Sequence, residues 1–302
     1  MSTTVRAPAK INLHLGVGPL GEDGFHPLAT LYQAVGLYDD VTVSDQLEWS
    51  VHLRGDGRID LDEVPADDRN IALRAGRALV AHHGLERAAK VEIRKGIPVA
   101  GGMAGGSADA AATLVALDRL WDLQTPDDDL LRLAAGLGSD VPFALLGGTA
   151  IGSGHGELVT PVVDHGSWWW VVVENDTGLA TPDVYRAFDE LHAGALLPTP
   201  QIPPALHDAL LTGDVEQLAR LLRNDLQEPA LRLRPDLAAT FDDALAAGAH
   251  AALLSGSGPS VLLLCGDRAQ AEAVDADLAG RGHGRTSVVP APVAGAHVVE
   301  YV

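Results

Sequence analysis

The stretch PVAGGMAGGSADAAATLVALDRLW, Pro98 to Trp121, has glycines at 101, 102, 105 and 106 and runs straight into a helical pattern with no lysine at the junction. Glycine permits positive φ and removes the side chains that would keep an anion away. The unpaired N–H groups and the positive dipole end of the following helix attract negative charge. The stretch therefore reads as a backbone cradle for phosphate. Ala110, Leu114, Leu117 and Trp121 fall at i, i+4, i+7 and i+11, the spacing of one buried helical stripe. Three readings compete with it. A P-loop requires GxxxxGK and then Ser or Thr, whereas Gly105 and Gly106 are followed here by Ser107, Ala108 and Asp109. A dinucleotide fingerprint requires GxGxxG, and GGMAGGS has its glycines in the wrong phase. A tight strand-to-helix turn without a ligand is what an isolated glycine cluster would signify, and other segments shift the balance away from it.

At 302 residues the chain exceeds one ordinary core, which predicts two domains. Hydrophobic residues make up 47% and aromatic ones 4%, so the core must be built mainly of Ala, Val and Leu. No charged-then-apolar leader opens the sequence, and no apolar run approaches the roughly 20 residues that span a bilayer, so a cytoplasmic location is expected. WWWVVV, Trp168 to Val173, reads as a buried strand. Cys265 alone excludes an internal disulfide framework and is expected to be a small core residue ending the apolar run Val261 to Leu264. A net charge of -20 argues against a nucleic-acid surface, and it requires any phosphate site to concentrate positive potential locally. The expected partner is a small-molecule substrate, with neither nucleic acid nor membrane, and the chain is expected to act as a monomer or weak homodimer.

The basic residues are therefore informative. Of 21, 18 are Arg and three are Lys: Lys10, Lys90 and Lys95. Where Arg is the default cation, a Lys suggests a place for a compact ammonium. Lys90, in ERAAK, reads as a solvated surface residue. Lys95 precedes the glycine loop and either adds positive potential there or lies on a plain surface. Lys10 sits in APAKINLHLGV, where Ala9, Ile11, Leu13 and Leu15 alternate as in a strand and leave Lys10, Asn12 and His14 on the other face. That pattern fits either a half-exposed strand with one polar face or a lysine held over a site.

In TPDDDLLRLAAGLGSDVPFALLGG, Thr125 to Gly148, Thr125-Pro126 and three aspartates predict a helix start, with Gly136 or Gly138 as its stop. A short second helix is predicted from Ser139-Asp140-Val141-Pro142. Asp140 suits two roles there: an N-cap, or a carboxylate kept ionised by a lysine and able to accept a hydroxyl proton. The segment Leu254 to Leu262, LSGSGPSVL, reads as strand, turn and strand, and the Pro-rich stretch Leu197 to Pro204 as a loop.

Together these segments resemble the GHMP kinase superfamily, named for galactokinase, homoserine kinase, mevalonate kinase and phosphomevalonate kinase. They are most similar to those members that open with PAKINL followed by DGYH, here Pro8 to Leu13 and Asp23-Gly24-Phe25-His26. The nucleotide loop KxIPxGAGLGGGSSDAA corresponds to Lys95 through Ala111, the segment LGADVPFF to Leu137 through Ala144, and the late glycine motif to Leu254 through Leu262.

The resemblance implies an α+β, two-domain GHMP kinase fold with its active site in the interdomain cleft. Residues 1–163 would form the N-terminal ATP-binding and catalytic domain and residues 164–302 the C-terminal substrate-side domain, with the boundary near Pro161 to Gly166. It implies phosphoryl transfer from ATP, with Mg²⁺, to a hydroxyl of a cytidine diphosphate sugar-alcohol. Lys10 and Asp140 would be the catalytic pair. The loop Pro98, Val99, Ala100, Gly101, Gly102, Met103, Ala104, Gly105, Gly106, Ser107 and Ala108 would wrap the ATP phosphates, with Ser107 near the β- and γ-phosphates or the magnesium. Asn12 and His26 would bind the substrate, and Phe25 and Tyr185 would supply the two aromatic faces of a cytosine slot. Phe25 stands where the family has tyrosine and so keeps the stacking face without the hydroxyl. Ala144 and Ala108 replace a usual Phe and Ser and bear on loop packing. A kinase for another small alcohol would not need Phe25, His26 and Tyr185, and a non-catalytic relative would not need Lys10, Asp140 and the glycines.

Overall fold

The chain opens with two long antiparallel strands, β1 (Ser2–Val17) and β2 (Leu28–Gln46), in the computed structural model, which describes residues 1–55, 57, 59–175, 177–283 and 285–299. Next come β3 (Ser50–Arg54), α1 (Ile71–His83), β4 (Ala88–Arg94), α2 (Gly105–Trp121), α3 (Asp127–Leu137), α4 (Val141–Leu146), β5 (Thr149–Ser153) and β6 (Leu158–Pro161). After β7 (Trp168–Val173) follow α5 (Thr181–Leu191), α6 (Pro204–Thr212), α7 (Val215–Leu221), β8 (Arg223–Asn224), α8 (Gln227–Leu233) and α9 (Leu237–Ala246). The remaining elements are β9 (Ala251–Leu254), β10 (Val261–Cys265), α10 (Arg268–Gly280), β11 (Thr286–Ala291) and β12 (His297–Val298).

One sheet runs β12-β1-β2-β4-β3, with β5 on β2, β6 on β5 and β8 on β1; the other runs β11-β7-β10-β9. Sheets with helices packed on them make the expected α+β architecture. The short strands β8 and β12 carry later chain back to the first sheet, so the two halves are stitched together rather than merely joined by residues 162–167.

The alanines of α2 explain its position. Ala108, Ala110, Ala111, Ala112 and Ala116 are fully buried and let the helix approach the first sheet closely, while Leu114, Leu117 and Trp121 fill the remaining space. Each buried Leu contributes about 1.5–3 kcal/mol. The apolar cluster around α2 continues without a break into Trp168, Trp170, Leu262 and Leu264 of the second sheet. A polar hub reinforces this seam. Gln33 Nε2 and Thr149 Oγ1 donate to Asp164 at 2.9 and 2.6 Å, Trp168 Nε1 donates to the same carboxylate at 2.9 Å, and Trp170 Nε1 donates to Gln33 Oε1 at 3.1 Å. The cleft between the halves is therefore held by one core and one hydrogen-bond network.

WWWVVV is β7, Cys265 is buried at the end of β10, and LSGSGPSVL is the turn from β9 to β10, as expected. The Pro-rich stretch is irregular until Pro204, which begins α6. Two expectations change. The strand β1 has no half-exposed face around Lys10, because Lys10, Asn12 and His14 are buried like the apolar residues between them. Nor does Thr125 cap α3. That helix starts at Asp127 behind Pro126, and the Thr125 hydroxyl instead donates to Asp118, with His83 Nε2 at 2.8 Å.

Candidate active site

The loop from Lys95 to Ala104 coils because three of its residues, Ala100 (φ 54°), Gly102 (φ 73°) and Ala104 (φ 60°), are left-handed. Met103 O accepts the Lys10 backbone N–H at 3.2 Å, and Gly102 O accepts Ser255 Oγ at 3.1 Å, so both β1 and the β9–β10 turn grip the loop. Glycine is obligatory at 102, since a Cβ there would lie 2.1 Å from Ser255 O. Ala104 precedes α2 with no side-chain cap, and the N–H groups of Gly105, Gly106 and Ser107 have no partner within their own helix. A cavity of about 300 Å³ adjoins these groups, lined by Pro65, Asn70, Ile71, Lys95, Val99 and Gly106 among others.

On the other side of the loop opens a larger cleft of about 730 Å³, lined by Lys10, Asn12, Tyr32, Gly102, Asp140 and Gly256 near the loop and by Phe25, His26, Tyr185 and Asp189 further out. Lys10 Nζ is 3.7 Å from Asp140 Oδ2. Asp140 occupies the N-cap position of α4 but makes no capping bond, so its carboxylate is left to the cleft and the purely structural role fails. Lys10 Nζ donates to Asn12 Oδ1 at 2.8 Å and lies 5.5 Å from the centre of the Tyr32 ring. Burial, then the neighbouring Asp140, push the Tyr32 phenol well above its usual range. The same two causes, in the same order, push Tyr185 up to about 12, so both phenols stay protonated at neutral pH.

The outer cleft is an aromatic slot. His26 stacks on Tyr185 with centroids 5.2 Å apart and meets Phe188 edge-on at 5.7 Å. His26 Nδ1 lies 2.8 Å from Gly18 O; because a carbonyl only accepts, Nδ1 carries the proton and Nε2 faces the slot, 3.4 Å from Asp189 Oδ1. Phe25 is 60% exposed and rests on His155 at 5.1 Å, with His155 Nε2 also 3.1 Å from Asp23.

The chain thus brings Lys10, Asn12, Asp140, Phe25, His26 and Tyr185 to one cleft, with the loop Pro98–Ala108 between it and the smaller cavity. Lys95 requires a correction. It is neither a surface residue nor a free source of potential, but is 4% exposed, ion-paired to Asp39 and, at 2.8 Å, to Asp109. Burial alone would lower its pKa, yet Asp109 and Asp39 together raise it. Lys90 is half-buried in β4 and lies 3.2 Å from Glu92. Sequence reading missed Thr30, Tyr32, Asp39, Asp109, His155 and Asp189. Asp109 did carry a signal, since a single carboxylate inside the alanine run of α2 demands a buried cation.

A kinase loop without a Walker lysine, gripped by a late glycine turn and facing a Lys–Asp pair in the cleft of an α+β protein, defines a GHMP kinase. The family models agree: GHMP kinases N terminal domain matches residues 70–148 and GHMP kinases C terminal matches residues 206–283. The chain is 58% identical, over 98% of its length and 100% of the relative's, to the 4-diphosphocytidyl-2-C-methyl-D-erythritol kinase of Nocardioides sp.. The enzyme of that name from Rhodococcus jostii is 48% identical over 98% of this chain and 94% of its own. A crystal structure of 4-(cytidine 5'-diphospho)-2C-methyl-D-erythritol kinase superposes with a TM-score of 0.78 at 32% identity, covering 97% of this chain and 100% of that one. The chain belongs to the 4-diphosphocytidyl-2-C-methyl-D-erythritol kinase family of the GHMP kinases, and it is an enzyme, a phosphotransferase with an alcohol acceptor.

Proposed function

We propose that the chain transfers the γ-phosphoryl group of ATP to the 2-hydroxyl of 4-diphosphocytidyl-2-C-methyl-D-erythritol, giving the 2-phosphate and ADP, in the mevalonate-independent route to isopentenyl diphosphate. The observation that carries the mechanism is the pairing of Asp140 with Lys10 at 3.7 Å, where the glycine loop meets the aromatic slot. Asp140 accepts the proton as the 2-hydroxyl oxygen bonds to the γ-phosphorus and the bond to the β-phosphate oxygen breaks. Lys10, 3.7 Å from that carboxylate, neutralises charge that develops on the transferred group.

The N–H groups at the start of α2 receive the phosphates, and the cavity beyond them, toward Asn70 and Ile71, takes the remainder of the nucleotide. No cluster of three or more His, Cys, Asp or Glu side chains suited to a metal occurs among the described residues. The Ser107 hydroxyl in the first turn of α2 would be the protein's ligand to a Mg²⁺ carried in with ATP, and the ion would neutralise phosphate charge. The cytosine ring lies between Tyr185 and Phe25, with His26 Nε2 and Asp189 placed to accept from its exocyclic amine. Residues 1–163 supply the nucleotide side together with Asn12, Phe25 and His26 of the substrate side, and residues 164–302 supply Tyr185 and Asp189. The net charge of -20 disfavours nucleic acid and anionic membrane surfaces as partners, in keeping with an enzyme, expected in the cytoplasm, that acts on a small molecule.

Asp140→Asn tests the assignment of the base. Its kcat should fall by roughly 10² to 10⁴ with KM for ATP little changed; a variant with wild-type turnover would remove Asp140 from the mechanism.

A further inference from the structure

We propose that Thr30 is a positioning residue for phosphoryl transfer: its hydroxyl fixes which edge of the Asn12 amide faces Lys10, and through that amide holds the ammonium beside Asp140. The proposal rests on the role given to Lys10 above.

Thr30 is 0% exposed and Asn12 2%, so no bulk water substitutes for either partner. A threonine hydroxyl has one proton. Here Oγ1 lies 2.8 Å from the carbonyl oxygen of His14, which can only accept, and the proton is committed to it. The remaining lone-pair side faces Asn12 Nδ2 at 2.7 Å and must therefore accept. With its NH₂ edge fixed to Thr30, the Asn12 amide presents Oδ1 to Lys10 Nζ at 2.8 Å. Turned over, it would set Oδ1 against the Thr30 lone pair and NH₂ against the ammonium, two mismatches in a buried site.

One backbone carbonyl thus determines, through two side chains, where one of the three Lys10 donors points. Asp140 Oδ2 lies 3.7 Å from the ammonium, an ion pair without a hydrogen bond, and the other two donors are left for that carboxylate and the transferred group. The pairing register between β1 and β2 shifts between Asn12 and His14, in the middle of this relay. Such irregularities re-aim side chains beside active sites. Asn12 also lines the cleft, so its second N–H remains for the substrate, and positioning and binding share one amide.

The test compares Thr30→Val, which keeps the shape and deletes the hydroxyl, with Thr30→Ser, which keeps the hydroxyl. In Thr30→Val, kcat should fall roughly tenfold, the loss of a hydrogen-bond chain ending on a charge, while KM for ATP stays within about twofold. Thr30→Ser should restore most of the turnover, and in an Asn12→Ala background Thr30→Val should cost nothing further. A wild-type kcat in Thr30→Val, equal losses in the Val and Ser variants, or multiplicative losses in the double variant would each overturn the relay. Lys10→Met is measured alongside. If it retains activity, the reading of Lys10 itself fails; if it is inactive while Thr30→Val is normal, only the relay fails.

Discussion

Replacing Gly102 with alanine sets a methyl group against backbone that has nowhere to go. The new Cβ would lie 2.1 Å from Ser255 O, 3.0 Å from Gly258 O and 3.1 Å from Gly258 N. A carbon and a carbonyl oxygen approach to about 3.3 Å at closest, so the loop and the β9–β10 turn must separate by about 1 Å or more. Holding φ at +73° costs alanine about 1–2 kcal/mol in addition. The shift cannot stay local, because the next residue, Met103, accepts the backbone N–H of Lys10. A misplacement of about 1 Å in a positioned site lowers rates by about 10², and that is the expected fall in kcat/KM, read by steady-state ADP release. Gly136→Ala is the control: it is helical, its Cβ would touch nothing within 4 Å, and it should leave the rate unchanged while adding up to about 1 kcal/mol of stability. Gly102→Ala with activity within twofold of wild type would refute the claim that these two loops are locked together.

Two further predictions concern buried charge. Asp39 accepts from Lys95 and from the N–H groups of Gly96 and Ile97 at 2.7 and 2.9 Å, so Asp39→Asn should cost about 3 kcal/mol in denaturant unfolding. Burial pushes the Asp109 carboxyl well up, against the opposing pull of Lys95 and with Asp39 adding to the rise, so Asp109→Asn, which removes a charge the site disfavours, should cost less than Asp39→Asn; the reverse order would contradict this division. Burial also depresses the His14 pKa from 6.5, against the opposing pull of Asp225, so the folded state binds this proton less readily than the unfolded chain. That contribution is present above the unfolded value and is lost as pH falls below it, by at most about 1.4 kcal/mol per pH unit. His14→Asn should flatten the slope of stability just below pH 6.5, and an unchanged slope would show that His14 is not its source.

The glycine loop, β1 and the Asp140 turn were legible in the sequence because each combines a local backbone requirement with an exceptional residue: glycine before a helix, lysine in an arginine-rich chain, aspartate at a helix entry, whose two possible roles only the missing cap bond told apart. Lys95 was misread for the opposite reason. Its partners lie 56 residues upstream and 14 downstream, and only the pairing of β2 with β4 and the packing of α2 bring Asp39 and Asp109 to it. Thr30 and Tyr32 were invisible because in a strand buried on both faces a polar residue shows no contrast of period 2. His155 and Asp189 depend on how a hairpin turn and α5 converge on the slot, which no local pattern encodes.

The central claim is best tested by incubating the purified protein with ATP, Mg²⁺ and 4-diphosphocytidyl-2-C-methyl-D-erythritol, with homoserine and mevalonate in parallel, and following ADP and the phosphorylated product. Phosphorylation of the cytidine compound at its 2-hydroxyl, with neither of the other alcohols turned over, is the predicted result. Phosphorylation of homoserine or mevalonate in its place would contradict the cytosine slot, and ATP binding without turnover of any of the three would contradict the catalytic pair.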